Sequence, residues 1–253
     1  MKFEDTYIYK YCSFETGELT ISSQLLKFNN PSFFNDPFDC DVNLLEFDFS
    51  DCCSDVLNDI ETVKTNLSSA FPLEDIEEIL TKENIQEIYK KGQIDKIEKS
   101  SISCFSLNPS NMTMWSHYAD KHKGVCLIFD IGLDCFLEDE SLWDRINMNM
   151  VKYDDLKPVN YLKSKQDGIN NLFFLKSKDW AYEEEWRIFI LESNLKYLKF
   201  KKAFLKGVLF GANVKDDEIS KFQKTIEFSG FNHLSLARLR KENLKLSLED
   251  ISF

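Results

Sequence analysis

The stretch VCLIFDI (residues 125–131) is too short for a stable helix and too apolar for a surface segment, so the chain must bury a strand there. Other segments read as its partners. TYIYKYCSF (6–14) alternates and is rich in β-formers, and SISCFSL (101–107) has the same character. Strand-like patterns recur at NMVKYDD, over 184–192, in AFLKGVLFG, and finally at HLSLARL, which completes the chain. QLLKFNNPSFFNDPFDCDVNL (24–44) reads as a short strand running into a turn-rich loop with two prolines.

Residues 53–99 change character. SDVLNDIETVKTNLSSAF, PLEDIEEILTK and ENIQEIYKKGQIDKIEK each space apolar residues by three and four, with N-cap residues at Ser54 and Thr81. They predict an acidic insert of two or three helices. PSNMTMWSHYADKHKG (109–124) reads as a helix ending at Gly124, GINNLFFLKSK as another, and a third covers about 215–228. Strands and helices intermix without regular βαβ alternation. The expectation is an α+β fold, a mixed or antiparallel split sheet in one domain over 1–253, with the helical insert at about 53–99.

Composition supports a sizeable core: 43% of the 253 residues are hydrophobic, and 22 are phenylalanine. A net charge of −12 argues against non-specific binding to nucleic acid or to an anionic membrane. The two basic clusters, 197–206 and 238–245, read as solvated flanks of strands. The opening MKFEDTYIYK lacks the basic start and apolar run of a signal peptide, and no stretch approaches the ~18 apolar residues of a membrane helix, which points to a soluble, cytoplasmic protein. Seven scattered cysteines (12, 40, 52, 53, 104, 126, 135) without a CxxC spacing are expected to be reduced and mostly buried, with no zinc site.

Chemistry is concentrated in KDWAYEEEWRIFI (178–190). Read as a strand, it places Glu183, Glu185, Arg187 and Phe189 on one face and Glu184, Trp186, Ile188 and Ile190 on the other. The second face suits the core. The first is either a solvated polar face or two carboxylates and a guanidinium aimed into a site.

Five blocks, YIYKYCSF, LKFNNPSFFNDPFDC, SCFSLNPSNMTMWSHYADKHKGVCLIFD, KSKDWAYEEEWRI and VLFGANV, resemble a bacterial family, domain-of-unknown-function family 2971. They span about residues 7–215. The resemblance implies a setting beside phage-defence and toxin-like genes. The chain departs from the family pattern at Cys12, where an arginine is expected.

The order of elements is also similar to the ADP-ribosyltransferase superfamily. That resemblance implies NAD as substrate, no metal, and three contributing elements. The first strand brings Lys10 and Tyr11. The middle strand and the helix after it bring Ser106, Trp115, His117 and Tyr118. The late strand brings Glu183-x-Glu185. Glu185 would stabilise the positive charge that develops on the ribose, and Glu183 would orient or deprotonate the acceptor. Trp115 or Tyr118 would stack on nicotinamide, and Arg187 would pair with a phosphate or hold Glu185. Asn35 and Asp36, in FNDPFD, would form part of a pocket lid.

Plainer readings stand beside these. Trp115, Tyr118, Ala119 and His122 fall at helical packing intervals. Asn35-Asp36-Pro37 makes a natural Asx-turn, and Lys10 and Tyr11 point to opposite faces of a strand. Two other functions remain open. Asp36, Asp39 and Asp41 suggest a metal-dependent, nuclease-like toxin, and a nucleotide-sensing module without catalysis is the third reading. A macromolecular acceptor or a regulatory partner protein is expected, and no membrane partner.

Overall fold

The computed structural model describes residues 6–70, 72–131, 138–191, 194–242 and 245–251. β1 (Tyr7–Cys12) leads into α1 (Phe14–Ser23), β2 (Leu25–Lys27) and a looped segment that ends at β3 (Leu45–Glu46). Next come α2 (Ser54–Ser68), α3 (Leu73–Ile79) and α4 (Lys82–Glu98), then β4 (Ser101–Ser106), α5 (Met112–Tyr118) and β5 (Val125–Asp130). β6 (Ile146–Met150), β7 (Lys152–Asp154) and β8 (Val159–Asn160) precede α6 (Lys165–Phe174), which runs directly into β9 (Leu175–Ser177). The chain continues through β10 (Glu185–Ile190), β11 (Tyr197–Lys199), β12 (Leu205–Phe210), α7 (Asp216–Phe228), β13 (Ser235–Glu242) and β14 (Lys245–Ile251).

Eight strands form one mixed sheet in the order β14-β13-β12-β5-β1-β4-β10-β6. Its parallel pair is β12 with β13, and α7 supplies the crossover that a parallel connection requires. Neighbours elsewhere in the sheet are antiparallel. The fold is α+β, as the sequence pattern predicts. VCLIFDI supplies β5, a central strand covered on both faces. Val125, Leu127 and Phe129 pack with Ile21 of α1 and with Ile219, Phe222 and Ile226 of α7. Cys126 and Ile128 pack on the other side with Tyr9, Tyr11 and Trp115. A third cluster joins Phe189 and Ile102 to Phe173 and Phe174 of α6 and Val56 of α2.

The sheet opens in its middle. β1 pairs with β5 along its whole length, but with β4 only at Tyr9 opposite Ser106. Beyond that point β4 turns to another partner, with Ile102 and Asn29 exchanging backbone bonds of 2.8 Å each way. Backbone and side chains from both faces are therefore exposed in the gap.

Several boundaries differ from the sequence reading, each for a local reason. The insert contains three helices, and Thr81 caps α4, but the N-cap of α2 is Cys53 rather than Ser54. The helix expected over 109–124 stops at Tyr118, and Asp120, Lys121 and His122 take left-handed backbone angles. Close backbone packing explains this turn. A Cβ at Gly124 would lie 2.2 Å from the Cys12 carbonyl, and one at Gly211 would lie 2.2 Å from the His122 carbonyl. The strand expected from residue 184 begins at Glu185, because Glu184 itself is left-handed, with φ of 44°. HLSLARL is not the last strand: β14 pairs with β13 after it. Arg238, read as part of a solvated flank, is buried and paired with Asp216. Cys12, Cys40 and Cys126 are buried free thiols, Cys52, Cys53 and Cys104 are partly so, and Cys135 lies outside the described residues. Among the described residues no helix is long and apolar enough to cross a membrane.

Candidate active site

A cavity of about 480 Å³ occupies the gap between β1 and β4. Its wall includes Tyr9, Lys10 and Tyr11 from β1, Cys104 and Ser106 from β4, and Met114, His117 and Tyr118 from α5. Phe33, Phe34, Asn35 and Asp39 border it from the loop after β2, and Lys176, Glu183 and Glu185 from the β9–β10 region.

Four side chains place these groups. Asn111 caps α5 by accepting from the Thr113 and Met114 amides, and its Nδ2 donates to the Tyr182 carbonyl at 2.7 Å. The helix and the turn carrying Glu183 are thus tied through one side chain. Ser106 Oγ donates to the Glu183 carbonyl at 2.7 Å, and the Glu185 amide donates to Tyr153 Oη at 2.8 Å. Asp36 closes its own turn by accepting from the Phe38 amide at 3.0 Å, which turns Asp39 inward.

The result is a buried network of alternating charge. Arg187 is fully buried. Its Nε donates to Glu185 Oε1 at 2.8 Å and its two terminal nitrogens reach Asp39 Oδ1 and Oδ2 at 2.9 and 2.6 Å. Further bonds run to Glu185 Oε2 at 3.0 Å and to the Phe173 carbonyl at 2.8 Å. Lys176 faces three carboxylates: Glu183 at 2.6 Å, Glu185 at 3.3 Å and Asp39 at 3.5 Å. Tyr118 Oη donates to Glu183 Oε1 at 2.6 Å and accepts from Asn35 Nδ2 at 3.2 Å.

The two glutamates differ electrostatically. Burial would raise the Glu185 pKa, but Arg187 and Lys176 together hold it down to about 2, so it is a fixed anion. Burial raises the Glu183 pKa, and Lys176 only partly offsets that. The Tyr118 pKa is also raised, by burial first and then by the Glu183 carboxylate, so this hydroxyl stays protonated as a donor.

The cavity brings together Lys10, Tyr11, Asn35, Ser106, His117, Tyr118, Glu183 and Glu185 from the sequence-predicted set. Lys10 and Tyr11 do point to opposite faces, and both reach the cavity because it lies in the opening of the sheet. Glu183 arrives differently from expectation. It sits in a 3-10 turn (Lys178–Glu183), and the left-handed Glu184 swings it back beside Glu185. Glu184 faces away and accepts from Asn108 Nδ2 at 2.8 Å.

Trp115, Asp36 and Arg187 are not among the lining residues. Trp115 is buried in the core, edge-on to Tyr11, with its Nε1 donating to the Pro109 carbonyl at 2.9 Å. It packs rather than facing a ligand. Arg187 stands behind the wall and holds Glu185, the second of the two roles considered for it. Asp36, Asp39 and Asp41 do not form a cluster: Asp36 and Asp41 cap local turns, and Asp39 pairs with Arg187. Among the described residues no group of three His, Cys, Asp or Glu is placed to hold a metal ion.

Sequence reasoning missed Lys176, and considered Asp39 only as a metal ligand. A lysine directly after the apolar run LFFL was the available signal for Lys176. Asp39 had none, since its partner Arg187 is 148 positions away.

A split mixed sheet with a carboxylate–cation network at its opening defines the class: an α+β protein with a partly enclosed cavity, charged along one wall, at the centre of its sheet. Residues 114–188 match the model of the family described as protein of unknown function, DUF2971, which bears out the family resemblance over that segment. The matched segment carries His117, Tyr118, Lys176, Glu183, Glu185 and Arg187. The match does not extend to the ADP-ribosyltransferase resemblance. No curated protein and no solved structure matches the chain.

Proposed function

We propose that the cavity binds NAD and that the protein cleaves its nicotinamide–ribose bond, as an ADP-ribosyltransferase or an NAD glycohydrolase. The observation that carries this reading is the pair of unlike carboxylates on one wall. Glu185 is locked as an anion by Arg187 and Lys176, while Glu183 has a raised pKa and a hydrogen bond to Tyr118. Adjacent carboxylates with pKa values pushed apart suit a division into electrostatic stabiliser and proton acceptor.

In the step itself, the bond from ribose C1′ to the ring nitrogen breaks and nicotinamide leaves with the electron pair, neutralising its own ring. The sugar becomes a cation facing Glu185. Water or an acceptor hydroxyl adds to C1′ and its proton passes to Glu183. Tyr118 orients Glu183, and its ring forms part of the wall on which a planar base would stack. The order in which first strand, middle strand with its helix, and Glu-x-Glu strand meet at the cavity also supports the reading.

The test is nicotinamide release from NAD in the presence of a chelator. Glu185→Gln should slow release by about a hundredfold or more, the magnitude of losing one preorganised electrostatic group. Glu184→Gln, outside the cavity, should leave the rate unchanged. A protein that neither binds nor cleaves NAD overturns the reading, and a nuclease activity abolished by the chelator would replace it.

A further inference from the structure

Glu183, the proton acceptor of the proposed reaction, is poorly placed to take a proton directly. It is 3% exposed, and a donor already engages each of its oxygens at 2.6 Å. Lys176 Nζ holds Oε2, and Tyr118 Oη holds Oε1. The two donors are not equivalent. An ammonium has protons to give and no lone pair to receive one. Burial works against the charge of Lys176, but Glu185, Asp39 and Glu183 together hold its pKa above the usual lysine value, so it stays protonated. A phenol both donates and accepts. Tyr118 is half-buried, lines the cavity, and accepts from the exposed Asn35 through Nδ2 at 3.2 Å. With its proton given to Glu183 and one lone pair given to Asn35, its oxygen keeps a second lone pair. His117, its neighbour on α5, turns to a different group, with Nδ1 3.4 Å from Tyr182 Oη.

We infer that Tyr118 is a catalytic residue that meets the acceptor itself and relays the acceptor's proton to Glu183. This deepens the NAD reading and rests on it. As the acceptor oxygen bonds to C1′ of the sugar cation, its O–H bond breaks and that proton goes to Tyr118 Oη. The proton already on Tyr118 crosses the 2.6 Å bond to Glu183 Oε1. Tyr118 ends as it began, and Glu183 ends neutral, returning its proton to solvent by the reverse transfer. Burial raises the Glu183 pKa, which favours that neutral form. Burial and then Glu183 raise the Tyr118 pKa, so no free tyrosinate accumulates and the two protons move together.

The experiment compares two fates of the same sugar cation: hydrolysis of NAD, and exchange of labelled nicotinamide into NAD. Hydrolysis must remove a proton from water. Exchange removes none, because the ring nitrogen attacks C1′ with its own electron pair. Tyr118→Phe keeps the aromatic ring, so hydrolysis should fall about a hundredfold while the ratio of exchange to hydrolysis rises about tenfold or more. Glu183→Gln keeps the shape of the side chain and should raise that ratio likewise, which covers the case of a Tyr118→Phe that does not fold by circular dichroism. The double variant should be no slower than the slower single one, since the two residues act as one unit. Glu185→Gln should slow hydrolysis and exchange together. If Tyr118→Phe hydrolyses NAD like the wild type, or loses hydrolysis and exchange equally, the relay is overturned and the NAD reading stands. A wild-type protein inert in both assays refutes the NAD reading and the relay with it.

Discussion

Replacing Arg187 by methionine removes the centre of the buried network while keeping a similar length of chain. Arg187 is wholly buried and makes two contacts to each of Asp39 and Glu185 besides one to the Phe173 carbonyl. Without it, two interior carboxylates would depend on Lys176 alone, which already serves Glu183 at 2.6 Å. Breaking a buried ion pair from one side costs ~3–5 kcal/mol, because the remaining charge stays desolvated. Set against a total stability of ~5–15 kcal/mol, that is a large share. With a urea m-value of ~3 kcal/mol/M, the unfolding midpoint should fall by ~1–2 M. The triple variant Arg187→Met, Asp39→Asn, Glu185→Gln removes the stranded charges and should recover at least half of the loss. Arg187→Lys should fall between, since one ammonium cannot grip two carboxylates in the planar, two-point manner of a guanidinium. A midpoint for Arg187→Met within ~0.3 M of wild type, or a triple variant no better than the single one, would refute the reasoning.

The two glutamates should leave opposite marks on stability against pH. Glu185 has a folded pKa of about 2, below the unfolded value, so its contribution is present above the unfolded pKa and is lost as pH falls toward 2. Glu183 has a raised folded pKa, so its protonated form favours folding and stability declines as pH rises through that pKa. Urea midpoints from pH 2.5 to 8 should therefore show a shallower acid limb for Glu185→Gln and a smaller decline above the usual carboxylate pKa for Glu183→Gln, and identical profiles would count against both assignments. Gly211→Ala should destabilise by ~1–3 kcal/mol in thermal melts, because a Cβ there would lie 2.2 Å from the His122 carbonyl. A loss under ~0.5 kcal/mol would mean that the turn holding α5 relaxes freely.

Much of the site was legible because local pattern and tertiary role agree. From Glu185 onward the alternation of β10 is correct: Glu185 and Arg187 turn to the polar network, and Trp186, Ile188 and Ile190 to the core. FNDPFD was readable as a turn from its proline and Asx residues, and Asn35 does reach the cavity. Glu183 was expected beside Glu185 and does share the cavity wall with it, but through a different geometry, since no propensity announces a left-handed glutamate at 184. Helix α5 was drawn too long because its residues are fair helix formers, while its end is imposed by backbone packing at Gly124 and Gly211. Trp115 could not be assigned to core or cavity from its spacing, because both readings share it.

The sequence alone determined the kinds of element, their order and which face of each is apolar, because periodicity and capping act over a few residues. VCLIFDI had to be a buried strand and residues 53–99 had to be largely helical, whatever surrounded them. Only the tertiary structure decided that the sheet opens between β1 and β4, since strand pairing is a choice among distant partners. It also decided that Asp39, in the cavity wall, and Arg187 behind it, 148 positions apart, pair with each other, leaving Glu183 and Glu185 with unlike surroundings. Charge interactions depend on distance through space and on burial, and neither is written in the spacing of residues along a chain.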